Sequence, residues 1–196
     1  MEATDQPRRR VVALGGGAGK ALNRLLRGGR ASGVDVVAMN TDAQDLRRSA
    51  ASVRVQLGVA LVRGLGAGGD AEVGRLCALA DAAAIREALV GAGEVVLLVG
   101  LGAGTGSGAA RPVCDIAREL GVRVRAVATL PLAFEGRRRA RVAAAALAEL
   151  REALGPDCIV VGGESAKSTE GVPLTMVEQF ARLDEAMVEA ISAPFA

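Results

Sequence analysis

Short apolar runs recur along the chain, and each gives way to small or polar residues and then to apolar positions at helical spacing. The runs predict strands at 10–14, 34–39, 53–56, 94–99, 122–128 and 158–162. The spacing between them predicts helices at 20–27, 72–90, 106–120, 136–154 and 174–191. Strands that are apolar throughout and separated by helices indicate a parallel sheet covered on both sides. The expected fold is α/β: a three-layer, mostly parallel Rossmann-like sheet with helices on both faces. In the last helix Met176, Phe180, Leu183, Met187 and Ala190 form an apolar stripe expected to face the sheet. Glu178, Arg182, Glu185 and Glu189 form a charged stripe expected to meet water.

Ligands of such sheets bind at the carboxyl ends of the strands, and there the chain is rich in glycine. Residues 100–110 read Gly-Leu-Gly-Ala-Gly-Thr-Gly-Ser-Gly-Ala-Ala, directly after the run Val95-Val96-Leu97-Leu98-Val99. Alternating glycines clear side chains from the backbone, and the helix behind them offers free N–H groups and the positive end of its dipole. That is a geometry for phosphate, with Thr105 and Ser107 as added hydroxyl donors. The plainer alternative is a flexible turn. The first run also ends in glycines, Gly15-Gly16-Gly17-Ala18-Gly19-Lys20-Ala21, and a third turn reads Gly64-Leu65-Gly66-Ala67-Gly68-Gly69-Asp70. The first turn is no Walker A loop, because its spacing is one residue short and Ala21 stands where a magnesium-binding Ser or Thr is needed. Nor is it a dinucleotide fingerprint, since Lys20 replaces the third glycine and Asn40 replaces the acid at the end of the second strand.

With 196 residues the chain makes one domain of ordinary size, expected as a basic leader at 1–9 and a single domain at 10–196. Apolar residues make up 51 % of it, yet Phe134, Phe180 and Phe195 are the only aromatics, so the core is aliphatic. A net charge of +2 gives no electrostatic reason to expect nucleic acid. The runs Arg8–Arg10 and Arg137–Arg139 differ: the first reads as a solvated leader, the second, at a helix start, favours an anionic neighbour. Three scattered cysteines and no histidine argue against a zinc site or a disulfide framework, and suit a reducing cytoplasm. No apolar run reaches membrane-spanning length and the N-terminus is polar, so neither membrane insertion nor a signal peptide is expected.

Five segments together resemble the tubulin superfamily, most closely its bacterial division branch, the FtsZ family. Gly102-Ala103-Gly104-Thr105-Gly106-Ser107-Gly108 is similar to the signature GGGTGTG, and Asn40-Thr41-Asp42-Ala43-Gln44 to NTDAQ. Residues 64–74 resemble GLGAGxxPEVG with Ala71 for Pro, Phe134-Glu135-Gly136-Arg137-Arg138-Arg139 resembles FEGxxR, and 180–185 resemble the start of the central helix. The resemblance implies a site for GTP or GDP, with magnesium accompanying the nucleotide. Gly15, Gly16, Gly17, Ala18, Gly19 and Lys20, with Asn40, Gly66, Ala67, Gly68, Gly102, Ala103, Gly104, Thr105 and Gly106, would form the phosphate side. Glu135 and Arg139 would meet the ribose and phosphates, Phe180 would stack on the base, and Asp184 would accept from the guanine N–H groups. Lys20 stands where the family has an Asn, and Glu164 replaces the Asn of a Pro-Asn-Asp run.

After the central helix that family continues into an NxDFAD-type loop, which supplies the carboxylate that activates water on the next subunit's nucleotide. Here 191–196 read Ile-Ser-Ala-Pro-Phe-Ala. The expectation is a short, single-domain, cytoplasmic FtsZ-like division protein that binds guanine nucleotide, with itself or another tubulin-like protein as partner. It would turn over little or no GTP alone and form no straight protofilaments. The alternative is a non-enzymatic partner or modulator of a tubulin-like filament that need not bind nucleotide.

Overall fold

A computed structural model describes residues 8–29, 34–162 and 175–191. The apolar runs become β1 (Arg9–Leu14), β2 (Asp35–Asn40), β3 (Val53–Gln56), β4 (Glu94–Gly100), β5 (Arg123–Thr129) and β6 (Cys158–Val161). They form one six-stranded sheet, order β3-β2-β1-β4-β5-β6, in which every neighbouring pair is parallel. Leu14 stands opposite Met39 on one side and Val99 on the other, so the central strands finish level and bring their following turns to one edge.

The helices are α1 (Gly15–Arg27), α2 (Ala43–Arg47), α3 (Val59–Val62), α4 (Ala71–Ala80), α5 (Ala82–Leu89), α6 (Gly104–Glu119), α7 (Arg137–Leu154) and α8 (Met176–Ile191). Alternate strand residues serve two cores. Val12, Leu14, Leu97 and Val99 pack with Cys77, Ile85, Val113 and Leu150 from α4, α5, α6 and α7. Val11, Ala13, Val96 and Leu98 pack with Leu22, Leu46, Met187 and Val188 from α1, α2 and α8. Both cores are aliphatic, as the composition requires. Phe134 and Phe180 lie outside them, 49 % and 41 % exposed, and Phe195 falls outside the described residues.

Several expectations change. The helices α1 and α6 begin at Gly15 and Gly104, earlier than periodicity predicted, because their first turns are glycines that carry no hydropathy signal. The long helix expected at 72–90 breaks at Asp81, whose carboxylate accepts from Gly58 N–H at 2.5 Å and draws the chain out of helical geometry. The strand expected at 158–162 ends at Val161, and the last helix starts at Met176, preceded by a Thr175–Glu178 capping box. Its apolar stripe only partly faces the sheet: Leu183 and Met187 are buried, whereas Met176 and Phe180 are exposed. The arginines at 8–10 are not a solvated leader. Arg9 opens β1 and pairs with Glu94, Arg8 and Arg10 pair with Asp35, and Arg10 also donates to the carbonyls of Ala88 and Val90.

One close contact fixes the layer beside the strand ends. A Cβ on Gly108 would lie 1.8 Å from Ala71 O, and one on Gly74 would lie 2.4 Å from Gly104 O. The backbones of α4 and α6 therefore touch through glycines. Gly108→Ala is expected to destabilise the fold by about 1–3 kcal/mol or more through overpacking. Gly19→Ala, at a helical position with open space around its Cβ, is expected to stabilise by about 0.5–1 kcal/mol. Chemical denaturation of both variants checks this opposition.

Candidate functional site

At the sheet edge two helix N-termini meet without the usual side-chain caps. The residue before α1 is Leu14 and that before α6 is Ala103; neither gives a side-chain cap, and neither first turn holds an acid. Their neighbours behave differently. Asp42 caps α2 by accepting from Gln44 and Asp45 N–H, and Asp70 caps α4 by accepting from Glu72 and Val73 N–H. The first-turn N–H groups of α1 and α6 thus keep their positive potential. The two turns touch: Gly15 sits at φ +80°, and a Cβ there would lie 3.2 Å from Gly106 N. A buried contact between Thr41 Oγ1 and Thr105 Oγ1, at 2.6 Å, ties the end of β2 to the start of α6. Ser107 is not a free donor, as the sequence had suggested. It is buried, and its Oγ accepts from Gly102 N–H at 2.8 Å, bracing the turn.

Three adjoining hollows that share wall residues surround these turns. The central one, about 230 Å³, is lined by Gly15–Gly17, the turn at 65–69 and Ala103–Gly106, with Asp42 and Asp45 at one side. A hollow of about 790 Å³ opens from it between α1 and α8 and is lined by Lys20, Arg24, Glu135, Arg139, Phe180 and Asp184, among others. A third, about 470 Å³, opens on the opposite flank of α1. Phe180, on the wall of the large hollow, meets the ring of Phe134 edge to face, with centroids 6.1 Å apart. Glu135 accepts from Leu132 N–H at 2.8 Å and is ion-paired with Arg139. Asp184 Oδ2 lies 3.3 Å from an Arg24 guanidinium nitrogen, and Arg24 also donates to Ala181 O. Burial raises the Asp184 pKa above the ordinary aspartate value, and the positive charges of Arg24 and Lys20 oppose that shift.

The structure brings nearly all the expected residues to these hollows. Gly15, Gly16, Gly17, Gly66, Ala67, Gly68, Ala103, Gly104, Thr105 and Gly106 line the central one, and Asn40 lines it and the 470 Å³ hollow. Gly19 lines the latter, and Lys20 lines both flanking hollows. Two expected residues do not reach a hollow. Ala18 is fully buried on the inner side of α1. Gly102 shapes its turn, at φ +97° and too close to Pro131 to carry a side chain. Glu164 lies outside the described residues. Sequence reasoning missed Asn23, Arg24 and Arg27, although their spacing from Lys20 places them on the same side of α1. It also left Asp42 without a role inside the segment 40–44 that it had singled out, and missed Asp45 just beyond that segment.

Residues 10–162 match the Tubulin/FtsZ family, GTPase domain. The chain belongs to the tubulin/FtsZ family. It is 39 % identical to the cell division protein FtsZ of Neisseria meningitidis serogroup B over 183 residues, 93 % of this chain and 46 % of that protein. With FtsZ of Pseudomonas aeruginosa it shares 37 % identity over 93 % of this chain and 46 % of that protein. Among solved structures it resembles the empty FtsZ dimer of M. jannaschii (TM-score 0.87, 34 % identity, covering 95 % of this chain and 53 % of that one). It also resembles the GTPgS-bound protofilament of CetZ2 from Haloferax volcanii (TM-score 0.80, 27 % identity, covering 93 % and 56 %). The chain spans about half the length of the curated relatives it matches. In this FtsZ-like domain no described helix is long and apolar enough to cross a membrane.

The Asp184 environment can be tested without ligand. Its folded pKa lies above the unfolded value, so its protonation favours the fold. That contribution is fully present below the unfolded pKa and is lost as pH rises through the folded one. Carboxyl NMR is expected to show Asp184 titrating above the ordinary aspartate range, and Arg24→Ala is expected to move it higher still by removing an opposing positive charge.

Proposed function

We propose that this tubulin/FtsZ-family chain binds guanine nucleotide, with its phosphates at the meeting point of α1 and α6 and its base in the large hollow. The observation that carries the reading is the pair of uncapped helix starts in contact at Gly15 and Gly106. Backbone N–H groups from two dipoles converge there, and Gly66, Ala67 and Gly68 close the same hollow from a third side. From this centre the large hollow runs past Arg139 and Glu135 to Phe180 and Asp184. An ionised Asp184 can accept from the two adjacent N–H donors of guanine, whereas adenine presents an acceptor at that edge. Phe180, exposed on the wall of the hollow rather than buried in the core, offers its ring to a base. Lys20 lies within electrostatic reach of Asp184 and adds positive charge between base and phosphates.

Among the described residues no group of three acidic, cysteine or histidine side chains could hold a metal on its own. Magnesium would arrive with the phosphates, as it commonly does, and Asp45 on the wall of the central hollow would serve as its carboxylate. In this reading the domain acts in an FtsZ-like cytoskeleton in the cytoplasm, with itself or another tubulin-like protein as partner.

Two measurements test the proposal. Gently purified protein is expected to carry guanine nucleotide, which would dominate its ultraviolet spectrum because the chain has no Trp or Tyr. Asp184→Ala is expected to weaken GDP binding in calorimetry by about 1–3 kcal/mol, the scale of hydrogen bonds to a charged group. A nucleotide-free protein that takes up neither GDP nor GTP would refute the reading. Equal affinity of parent and variant would make Asp184 a structural residue.

The 196-residue chain is further expected to turn over GTP negligibly by itself and to form no straight protofilaments. Phosphoryl transfer depends on a positioned water and on charge stabilisation. One of the two acids in the central hollow, Asp42, is already committed to capping α2. Phosphate release and light scattering with GTP and magnesium check this, and rates matching a full-length relative would contradict it.

A further inference from the structure

Asp184 and Phe180 account for only part of a guanine base in the large hollow. Guanine presents three groups in a row along its pairing edge: the O6 acceptor, the N1–H donor and the exocyclic amino donor. A carboxylate satisfies the two donors and leaves O6 to another group. A donor aimed at O6 would also reject bases that lack an acceptor there, because its own N–H would then go unpaired.

Of the donors on the walls of this hollow, Arg24 alone is within ion-pair distance of Asp184 among the described residues. The others are placed differently. The Asn23 amide is spent on Arg48 O and Ala50 N–H. Arg139 is ion-paired with Glu135. Lys20 stands one turn nearer the phosphate centre along α1, and Arg27 one turn farther from it.

Arg24 is held at two points on α8. One terminal nitrogen lies 3.3 Å from Asp184 Oδ2, and the other donates to Ala181 O at 3.3 Å. Residues three apart on a helix share a face, so both anchors lie on one side of α8. A planar guanidinium anchored twice has a fixed orientation, and three of its five N–H groups remain for other partners. The ion pair uses Oδ2 and leaves Oδ1 open.

The next step rests on the guanine reading. We propose that Arg24 is a specificity-determining residue that donates to guanine O6, so that the Arg24–Asp184 pair reads the whole pairing edge. Asp184 accepts from N1–H and the amino group, while a guanidinium N–H beside Oδ2 faces O6. O6 and N1 are neighbours on the base, as the guanidinium and Oδ2 are neighbours in the hollow. Adenine reverses this order: its amino group would meet the guanidinium, donor against donor, and its ring nitrogen would meet the carboxylate, acceptor against acceptor.

6-Thio-GDP is the probe, because it keeps both N–H donors and replaces O6 with sulfur, a weaker acceptor. Calorimetry on the whole chain is expected to show about a tenfold preference for GDP, falling below about twofold in Arg24→Ala. Lys20→Ala is expected to keep the preference while weakening both ligands. If Arg24 merely ties α1 to α8, Arg24→Ala will weaken both ligands equally and leave their ratio unchanged, which would overturn the proposal. A preference lost in Lys20→Ala instead, or absent from the parent, would overturn it too. Inosine diphosphate keeps O6 and N1–H but lacks the amino group, and its deficit against GDP is expected to survive Arg24→Ala. Loss of that deficit as well would make Arg24 a support for Asp184 alone and overturn the proposal. GDP binding that ignores Asp184→Ala would refute the guanine reading and this inference with it. Binding that needs Asp184 but shows no ratio dependent on Arg24 would refute the inference only.

Discussion

The site depends on how closely α1 and α6 approach each other at the end of the sheet. A Cβ on Gly15 would lie 3.2 Å from Gly106 N, and a Cβ on Gly106 would fall 2.3 Å from Gly100 O. Any side chain at these positions would push the helix starts apart or lift α6 off β4. The contact also sets like dipole ends side by side, an arrangement that only an anion or water relieves. The structure adds no acid to either first turn, while it does cap the adjacent α2 and α4 with Asp42 and Asp70. The α4 start, capped by Asp70, lies against the start of α6 at Gly104, so of the three helix starts that meet here only those of α1 and α6 keep uncapped N–H groups.

The remaining architecture supports that edge. Level strand ends at Leu14, Met39 and Val99 place the turns together, and aliphatic cores on both faces hold the sheet from either side. The glycine contacts of α4 with α6 fix α6 laterally, and the Thr41–Thr105 contact fixes it against β2. On the α8 side, Arg24 bridges from α1 to Asp184 and Ala181, so one residue links the helix over the phosphate centre to the wall proposed for the base. Phe180, which an aliphatic core can spare, stands on the wall of this hollow with Phe134 against it.

Much of this was legible in the sequence, for physical reasons that differ by element. The central strands were readable because parallel strands covered on both faces are largely apolar, while the half-exposed edge strand 53–56, Val-Arg-Val-Gln, was recovered residue for residue from its β-branched residues. The family membership was readable because five segments occur in order, and the site positions taken from them line the hollows except for Gly102. The helix starts were not readable from periodicity, because glycine carries no hydropathy signal and the packing that needs it is long-range. The alternation at 100–108 was attributed to access for an anion. The structure gives it a second cause, since Gly104 and Gly108 are where α6 meets α4. The pairing of Arg9 with Glu94 and of Arg10 with Asp35 was equally hidden, because partners 25 and 85 residues apart leave no local pattern. The break at Asp81 escaped for the same reason, as its partner is Gly58.

The central claim is that backbone N–H groups at two touching helix starts receive phosphate. Amide NMR on uniformly labelled protein tests it directly when GDP is added. The account predicts that Gly16, Gly17, Thr105 and Gly106 show the largest shifts and gain protection from exchange, while the capped starts of α2 and α4 change less. Binding that leaves these four amides unmoved, with shifts confined to other parts of the sheet, would contradict it.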